Sequence, residues 1–152
     1  MPVLTVPIVN ILGLTPRTRL FCLGIGEHQF PYLAGQAVLA AIHGCHQRRP
    51  YSIACSPERA HETGTIELLV AVEPGSDADL HVPSAAIGDR LDVEGPLGHF
   101  TFPDSPKPER VLFVAGGTGI APLRAMLDHA LRSDKAPRMA MIYSARRSDE
   151  FA

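Results

Sequence analysis

At 152 residues, the chain has room for one ordinary domain, or for a small domain and part of another. Its 14 basic and 16 acidic residues give no positive field that would draw nucleic acid or an anionic membrane surface. The three cysteines, Cys22, Cys45 and Cys55, are too few for a disulfide framework and lack the paired spacing of a zinc or iron–sulfur site, so they read as small buried hydrophobes.

The first residues carry no basic side chain before Arg17, and Pro7 and Asn10 interrupt their apolar run. Neither a signal peptide nor a membrane span is expected from this run, and the expected setting is the cytoplasm. From residue 4 to about residue 102 the pattern is one of short strands between breakers, at 4–12, 19–23, 36–42, 51–54, 65–72 and 90–93, with no convincing helix. Six short strands of this kind are expected to form an antiparallel barrel, because closure leaves no open sheet edge. The run Leu68, Leu69, Val70, Ala71, Val72 departs from simple alternation. His43, His46 and His61 fall in or beside loops, with no other ligand recurring at a useful spacing, and no metal site is read from them.

Within the fourth strand region stands Arg49-Pro50-Tyr51-Ser52. A guanidinium can hold phosphate with two hydrogen bonds, a tyrosine offers a flat apolar face, and a serine hydroxyl can reach a ring nitrogen. Equally, these residues could be an ordinary strand edge with Arg49 solvated. Residues 102–109 contain Pro103, Pro106 and Pro108, which favour extended backbone and mark the best boundary in the chain. The expected division is a barrel at 1–103, a linker at 104–109 and an α/β unit at 110–152.

That last unit opens on five apolar residues, 111–115, which suit a strand in a parallel sheet. Gly116, Gly117, Thr118 and Gly119 follow, and helical spacing then runs over 120–131 with Pro122 in its first turn and Leu123, Met126, Leu127 and Leu131 on its buried face. Strand, glycine turn and helix start can hold an anionic diphosphate on backbone N–H groups, and can also be no more than a tight connection. A second strand at 139–144 completes one βαβ unit. Two such apolar strands with a single helix leave one sheet face uncovered, which leads us to expect a homodimer or a partner chain over it.

Taken in order, Tyr32-Leu33-Ala34-Gly35-Gln36, Arg49-Pro50-Tyr51-Ser52, Gly95-Pro96-Leu97-Gly98-His99-Phe100, Gly116-Gly117-Thr118-Gly119-Ile120-Ala121-Pro122 and Tyr143-Ser144-Ala145-Arg146 resemble the ferredoxin-NADP reductase family. The resemblance implies a six-stranded antiparallel flavin-binding barrel followed by an incomplete parallel α/β nucleotide-binding unit. It implies FAD, with FMN as the alternative, and NAD(P)H as the reductant. Arg49 would hold the flavin phosphate beside Pro50, Tyr51 would pack on the flavin, Ser52 would hydrogen-bond near its N5 atom, and Gly95 and Gly98 would line the site. Gly116, Gly117 and Gly119 would meet the nucleotide diphosphate, with Thr118 near the nicotinamide, and Ser52 and Thr118 are the catalytic candidates. The chain reads Gly75-Ser76-Asp77-Ala78 where the family carries a Gly-x-x-Ser or Gly-x-x-Thr turn, and Ser76 or Ser84 is the candidate substitute.

The strand at 139–144 ends in Ala145-Arg146-Arg147 rather than in the acid that receives an NAD ribose, so the two guanidiniums, Arg146 first, suit a 2′-phosphate and the reading inclines to NADP, unless Asp149 and Glu150, which follow closely, fold back. The expected activity is hydride transfer from nicotinamide to flavin, with electrons passed on to an acceptor that can be a protein. The alternative is a non-catalytic accessory flavoprotein that docks a partner.

Overall fold

The computed structural model describes residues 3–72, 82–103 and 108–152. Strands β1 (Val3–Thr15), β2 (Thr18–Gly24), β3 (Ala37–Ile42), β4 (Arg49–Ser52), β5 (Thr65–Ala71) and β6 (Arg90–Leu97) form one sheet in the order β4-β3-β6-β1-β2-β5. Every neighbouring pair is antiparallel. The two outermost strands then approach each other through the Ile53–Leu68 bridge and an Ala54 N–H donating to the Glu67 carbonyl at 2.7 Å, which curls the sheet into a barrel. Its interior is packed by Val6, Ile8, Phe21, Leu23, Val38, Ile53, Leu91 and Val93. The turn at Gly75-Ser76-Asp77-Ala78 lies outside the described residues, as does most of the proline-rich stretch.

The apolar run of β5 is explained by cover on both faces. Ile66, Leu68 and Val70 point into the barrel, whereas Leu69 belongs to a second core with Leu20, Ala34, Ala54 and Phe102 on the barrel's outer surface. Over that surface lies the α/β unit, made of β7 (Arg110–Gly116), α2 (Ile120–Leu131) and β8 (Arg138–Ser144), with β7 and β8 parallel. Between β5 and its predecessor runs a helix absent from the sequence reading, α1 (Pro57–Thr63). Its signals are local: Ser56 caps it by accepting from the Arg59 N–H, Pro57 and Glu58 fill the first turn, and left-handed Gly64 ends it. At seven residues it is too short to show helical periodicity.

Ile120, Leu123, Ala125 and Met126 of α2 are buried between barrel and sheet, while Leu131, expected on that face, is exposed at the helix end. Gly35 permits the close contact. It has φ +106°, and a Cβ there would lie 2.3 Å from both the Met126 Cε and the Phe100 carbonyl oxygen. A polar stripe on α2 makes the remaining contacts. Arg124 bonds the Ala54 carbonyl at 2.5 Å and the Glu67 carboxylate, Asp128 accepts from Ser56 at 2.6 Å, and Arg132 meets Glu62 at 2.6 Å. His129 adds a contact of 2.7 Å to Glu58.

The sheet covers itself on one side only. Phe113 and Ala115 are buried under α2, whereas Leu112, Val114 and Ile142 are 61%, 64% and 57% exposed, so strands apolar enough for a two-sided cover have one bare face.

Glu67 is buried, and Arg59 stands 3.5 Å from it as a second, more solvated cation. Arg124→Ala should therefore cost about 1–2 kcal/mol, below the range for breaking a fully buried pair, because Arg124 is partly solvated. Urea unfolding of the two proteins measures this, and an unchanged midpoint would show that Arg59 alone satisfies Glu67.

Candidate functional site

The fold brings the two distant motifs into one place. A cleft of about 480 Å³ is lined by Arg49, Pro50, Tyr51 and Ser52 of β4, by Leu69, Ala71 and Pro83, and by Thr118, Gly119 and Ala121 of the glycine turn and helix start. All four residues of the motif reach it because β4 is an edge strand with no neighbour on that side other than the Ile53 bridge. Arg49 is at the exposed rim, while Tyr51 and Ser52 are half-buried. Burial, partly countered by the neighbouring Arg49 charge, pushes the Tyr51 phenol up, so it stays protonated and neutral at ordinary pH. The Ser52 and Thr118 hydroxyls make no hydrogen bond among the described residues.

A second cleft, also of about 480 Å³, continues from the first and shares Ala71 and Thr118 with it. Its floor is Gly116, Gly117 and Thr118, one wall is Ser144, Ala145 and Arg146 after β8, and the other is Arg17, Thr18 and Val72 of the barrel. The floor is made by a short 3-10 turn, Gly117–Gly119, between β7 and α2. Gly117 holds φ +51°, and its carbonyl accepts from the Tyr143 hydroxyl at 3.0 Å, which ties the turn to the end of β8. α2 begins at Gly119 without a side-chain cap.

Of the residues singled out in the sequence, Arg49, Pro50, Tyr51, Ser52, Thr118 and Gly119 line the first cleft. Gly116, Gly117, Thr118 and Arg146 line the second. Gly95 and Gly98 line neither. Gly95 lies in β6 against Val38 of β3, and the Gly98 carbonyl accepts from the Gln36 side chain at 3.0 Å. The Gln36 side chain also accepts from the Leu33 N–H at 2.8 Å, so the two turns are locked together beside α2. Ser84 closes a 3-10 turn that starts at Val82. Glu150 folds back into the cleft as the sequence allowed, whereas Arg17 was not foreseen, because only the strand register brings that turn residue there.

The first cleft offers a cation, a flat half-buried ring and an uncommitted hydroxyl within one space, which fits a flavin. The second offers a glycine turn and guanidinium groups, which fits a nucleotide diphosphate.

Comparison with known proteins agrees with this geometry. Residues 5–102 match the oxidoreductase FAD-binding domain family and residues 113–152 match the oxidoreductase NAD-binding domain family. The reductase subunit of an aromatic O-demethylase from Amycolatopsis is 31% identical over 147 residues, which is 94% of this chain and 43% of that protein. Ferredoxin–NADP reductase B of Sorangium cellulosum is 36% identical over 120 residues, covering 77% of this chain and 47% of that one. The crystal structure of the cytochrome P450 reductase GcoB from Amycolatopsis superposes with a TM-score of 0.81 at 27% identity, over 99% of this chain and 46% of the other. The chain spans less than half the length of these relatives.

The turn geometry separates two neighbouring glycines. A Cβ at Gly117 or Gly119 would meet nothing within 4 Å, but only Gly117 has a positive φ. Gly117→Ala should cost about 1–2 kcal/mol of backbone strain, whereas Gly119→Ala, in right-handed helical conformation, should be neutral or slightly stabilising. Thermal unfolding of both variants checks the difference, and equal losses would contradict it.

Proposed function

The chain belongs to the ferredoxin-NADP reductase-like family of FAD- and NAD-binding oxidoreductases, and from that membership we propose that it carries the flavin site, and part of the nucleotide site, of an NAD(P)H-dependent electron-transfer reductase. The observation that carries the reading is the shared seam. Two clefts with different donor sets meet at Ala71 and Thr118, as hydride transfer between two bound ligands requires.

In this reading residues 1–103 are the flavin barrel, 104–109 the linker and 110–152 the nucleotide unit. Arg49 holds the flavin phosphate, Tyr51 lies against the ring, and Ser52 and Thr118 bound the place where the two ligands face each other. The neutral Tyr51 phenol and the side chains of Leu69, Ala71, Pro83 and Ala121 supply the apolar part of its lining. A bound flavin supplies the capacity to take hydride from nicotinamide and to release electrons to an acceptor. Gly116 and Gly117 bring backbone to the nucleotide diphosphate, with Gly119 at the flavin side of the same turn, and Arg146, paired with no carboxylate among the described residues, takes a 2′-phosphate, which selects NADP. The acceptor is a partner protein, in keeping with relatives described as a reductase subunit and a cytochrome P450 reductase. No helix among the described residues is long and apolar enough to cross a membrane.

Loss of a charge-assisted phosphate contact worth roughly 1.5–3 kcal/mol means that Arg49→Ala should weaken flavin binding by about one to two decades. Titration with FAD and FMN measures it, and anaerobic reduction of the same samples should be faster with NADPH than with NADH. If neither flavin binds wild-type protein below about millimolar concentration, the reductase reading fails.

The bare sheet face is assigned to contact with another polypeptide, either a second copy or a partner chain. Each large apolar side chain removed from water there contributes roughly 1.5–3 kcal/mol. The isolated chain should self-associate, and Leu112→Ser combined with Ile142→Ser should shift it toward monomer. Light scattering after size exclusion decides, and a wild-type monomer at high concentration would refute self-association.

A further inference from the structure

We infer that Arg17, a residue of the barrel, binds the phosphate of the nucleotide across the domain seam, and that Glu150 holds it ready while opposing the ligand's charge. The inference rests on the nucleotide reading of the second cleft and adds to it a ligand contact from the flavin barrel.

Arg17 sits in the tight turn between β1 and β2, just before the Thr15–Thr18 pair closes the hairpin. Its backbone is held on both sides. The Arg17 N–H donates to the Thr15 hydroxyl at 3.2 Å, and the Arg17 carbonyl accepts from the Val72 N–H at 2.8 Å, past the end of β5. Pairing of Thr18 with Ala71 fixes the same register. The position of the Arg17 backbone is therefore set by the barrel, independently of the α/β unit.

Opposite it, the segment after β8 folds back. Phe151 stacks edge-on against Tyr143 with ring centroids 5.2 Å apart, and the Ala152 N–H donates to the Tyr143 hydroxyl at 3.2 Å. This fold-back sets Glu150 against the cleft, where its carboxylate is 3.7 Å from the Arg17 guanidinium. The Glu150 side chain is 17% exposed and that of Arg17 is 53% exposed, so the acid forms the wall and the guanidinium remains open to the cleft.

A contact of this kind has two readings with opposite consequences. As a strap joining the C-terminal segment to the barrel it is weak, since a solvated pair at such a distance contributes about 0–1 kcal/mol at most. As part of an anion site it has a clear logic. The lining has two guanidiniums, Arg17 from the barrel and Arg146 from the α/β unit, together with the glycine turn, and among the described residues Glu150 is its sole carboxylate. A diphosphate in that cleft has both cations in its lining. Glu150 keeps the long Arg17 side chain ordered when the cleft is empty, which lowers the entropy lost on binding, and its negative charge opposes the ligand.

The two readings predict different signs. If Arg17 binds phosphate, Arg17→Gln should weaken ADP binding about tenfold, while Arg17→Lys should recover part of the loss. Glu150→Gln should tighten ADP binding about threefold, because removing a charge of the ligand's own sign outweighs the lost ordering of Arg17. Adenosine, which lacks phosphate, should respond to neither. The experiment is calorimetric titration of the 152-residue chain and its three variants with ADP, adenosine and NADP⁺, with thermal unfolding of each recorded alongside. Opposite shifts for Arg17→Gln and Glu150→Gln support the inference. Equal losses for both variants, or an ADP affinity unmoved by Arg17→Gln, overturn it and leave a strap. Absence of ADP and NADP⁺ binding to the wild-type chain overturns it at an earlier step, together with the nucleotide reading on which it rests.

Discussion

A carboxylate buried on the outer surface of a barrel is the constraint on which the arrangement of this molecule depends. Glu67 faces outward from β5 at a position covered by other structure, and a buried anion without a cation costs several kcal/mol. Arg59 of α1 and Arg124 of α2 both supply a cation, and Arg124 simultaneously satisfies the Ala54 carbonyl, which seats α2 along β5 with that turn of helix over Glu67. Arg124, Asp128 and Arg132 follow at four-residue spacing and face Ser56, Glu62 and their neighbours around α1. These outer contacts are solvated and contribute little stability. What they fix is direction, because a helix held at successive turns along one side cannot rotate or slide.

Everything chemical follows from that placement. The glycine turn is joined directly to the start of α2, so seating the helix along β5 carries Thr118 and Gly119 to the edge strand that bears Arg49 to Ser52. The apolar content of the seam adds the energy that the polar stripe lacks. Leu20 and Leu69, paired across β2 and β5, would be exposed on an isolated barrel and are instead buried with Phe113, Ile120, Leu123 and Met126. Burial of a few such side chains at roughly 1.5–3 kcal/mol each outweighs the surface ion pairs, so hydrophobic contact supplies adhesion and the buried pair supplies register.

Legibility in the sequence followed the range of the interactions concerned. The strands were readable from breakers and β-branched residues, and α2 was readable because twelve residues show a full helical period. The non-alternating run in β5 was visible, but its cause, a second core on the outer face, required knowing what lay over Leu69. α1 was missed although Ser56, Pro57, Glu58 and Gly64 mark both its ends, since cap residues are read with confidence only beside a periodic segment, and seven residues supply none. The motif residues of the two clefts were recognisable as types, and Glu150 as an acid close enough to fold back, whereas Arg17 carried no local mark. The meeting of Arg17 and Glu150 is set by the β2–β5 register and by the packing of Phe151 on Tyr143, both of which are long-range facts.

The seam also explains a pattern of small side chains that no single motif accounts for. The two clefts share Ala71 and Thr118, and Gly117 in one and Gly119 and Ala121 in the other continue the lining with small side chains. A larger side chain at Ala71 would come from the end of β5, whose backbone is fixed by pairing with Thr18, and could not withdraw. Space at that point is the requirement that two flat ligands impose when they must meet face to face, since reacting atoms have to approach within about 3–3.5 Å. Thr118 is the polar exception among these residues, and its hydroxyl stands at the junction itself. The barrel therefore contributes rigidity and the glycine turn contributes room, and Thr118, which lines both clefts, joins Ser52 as a hydroxyl without a hydrogen bond among the described residues.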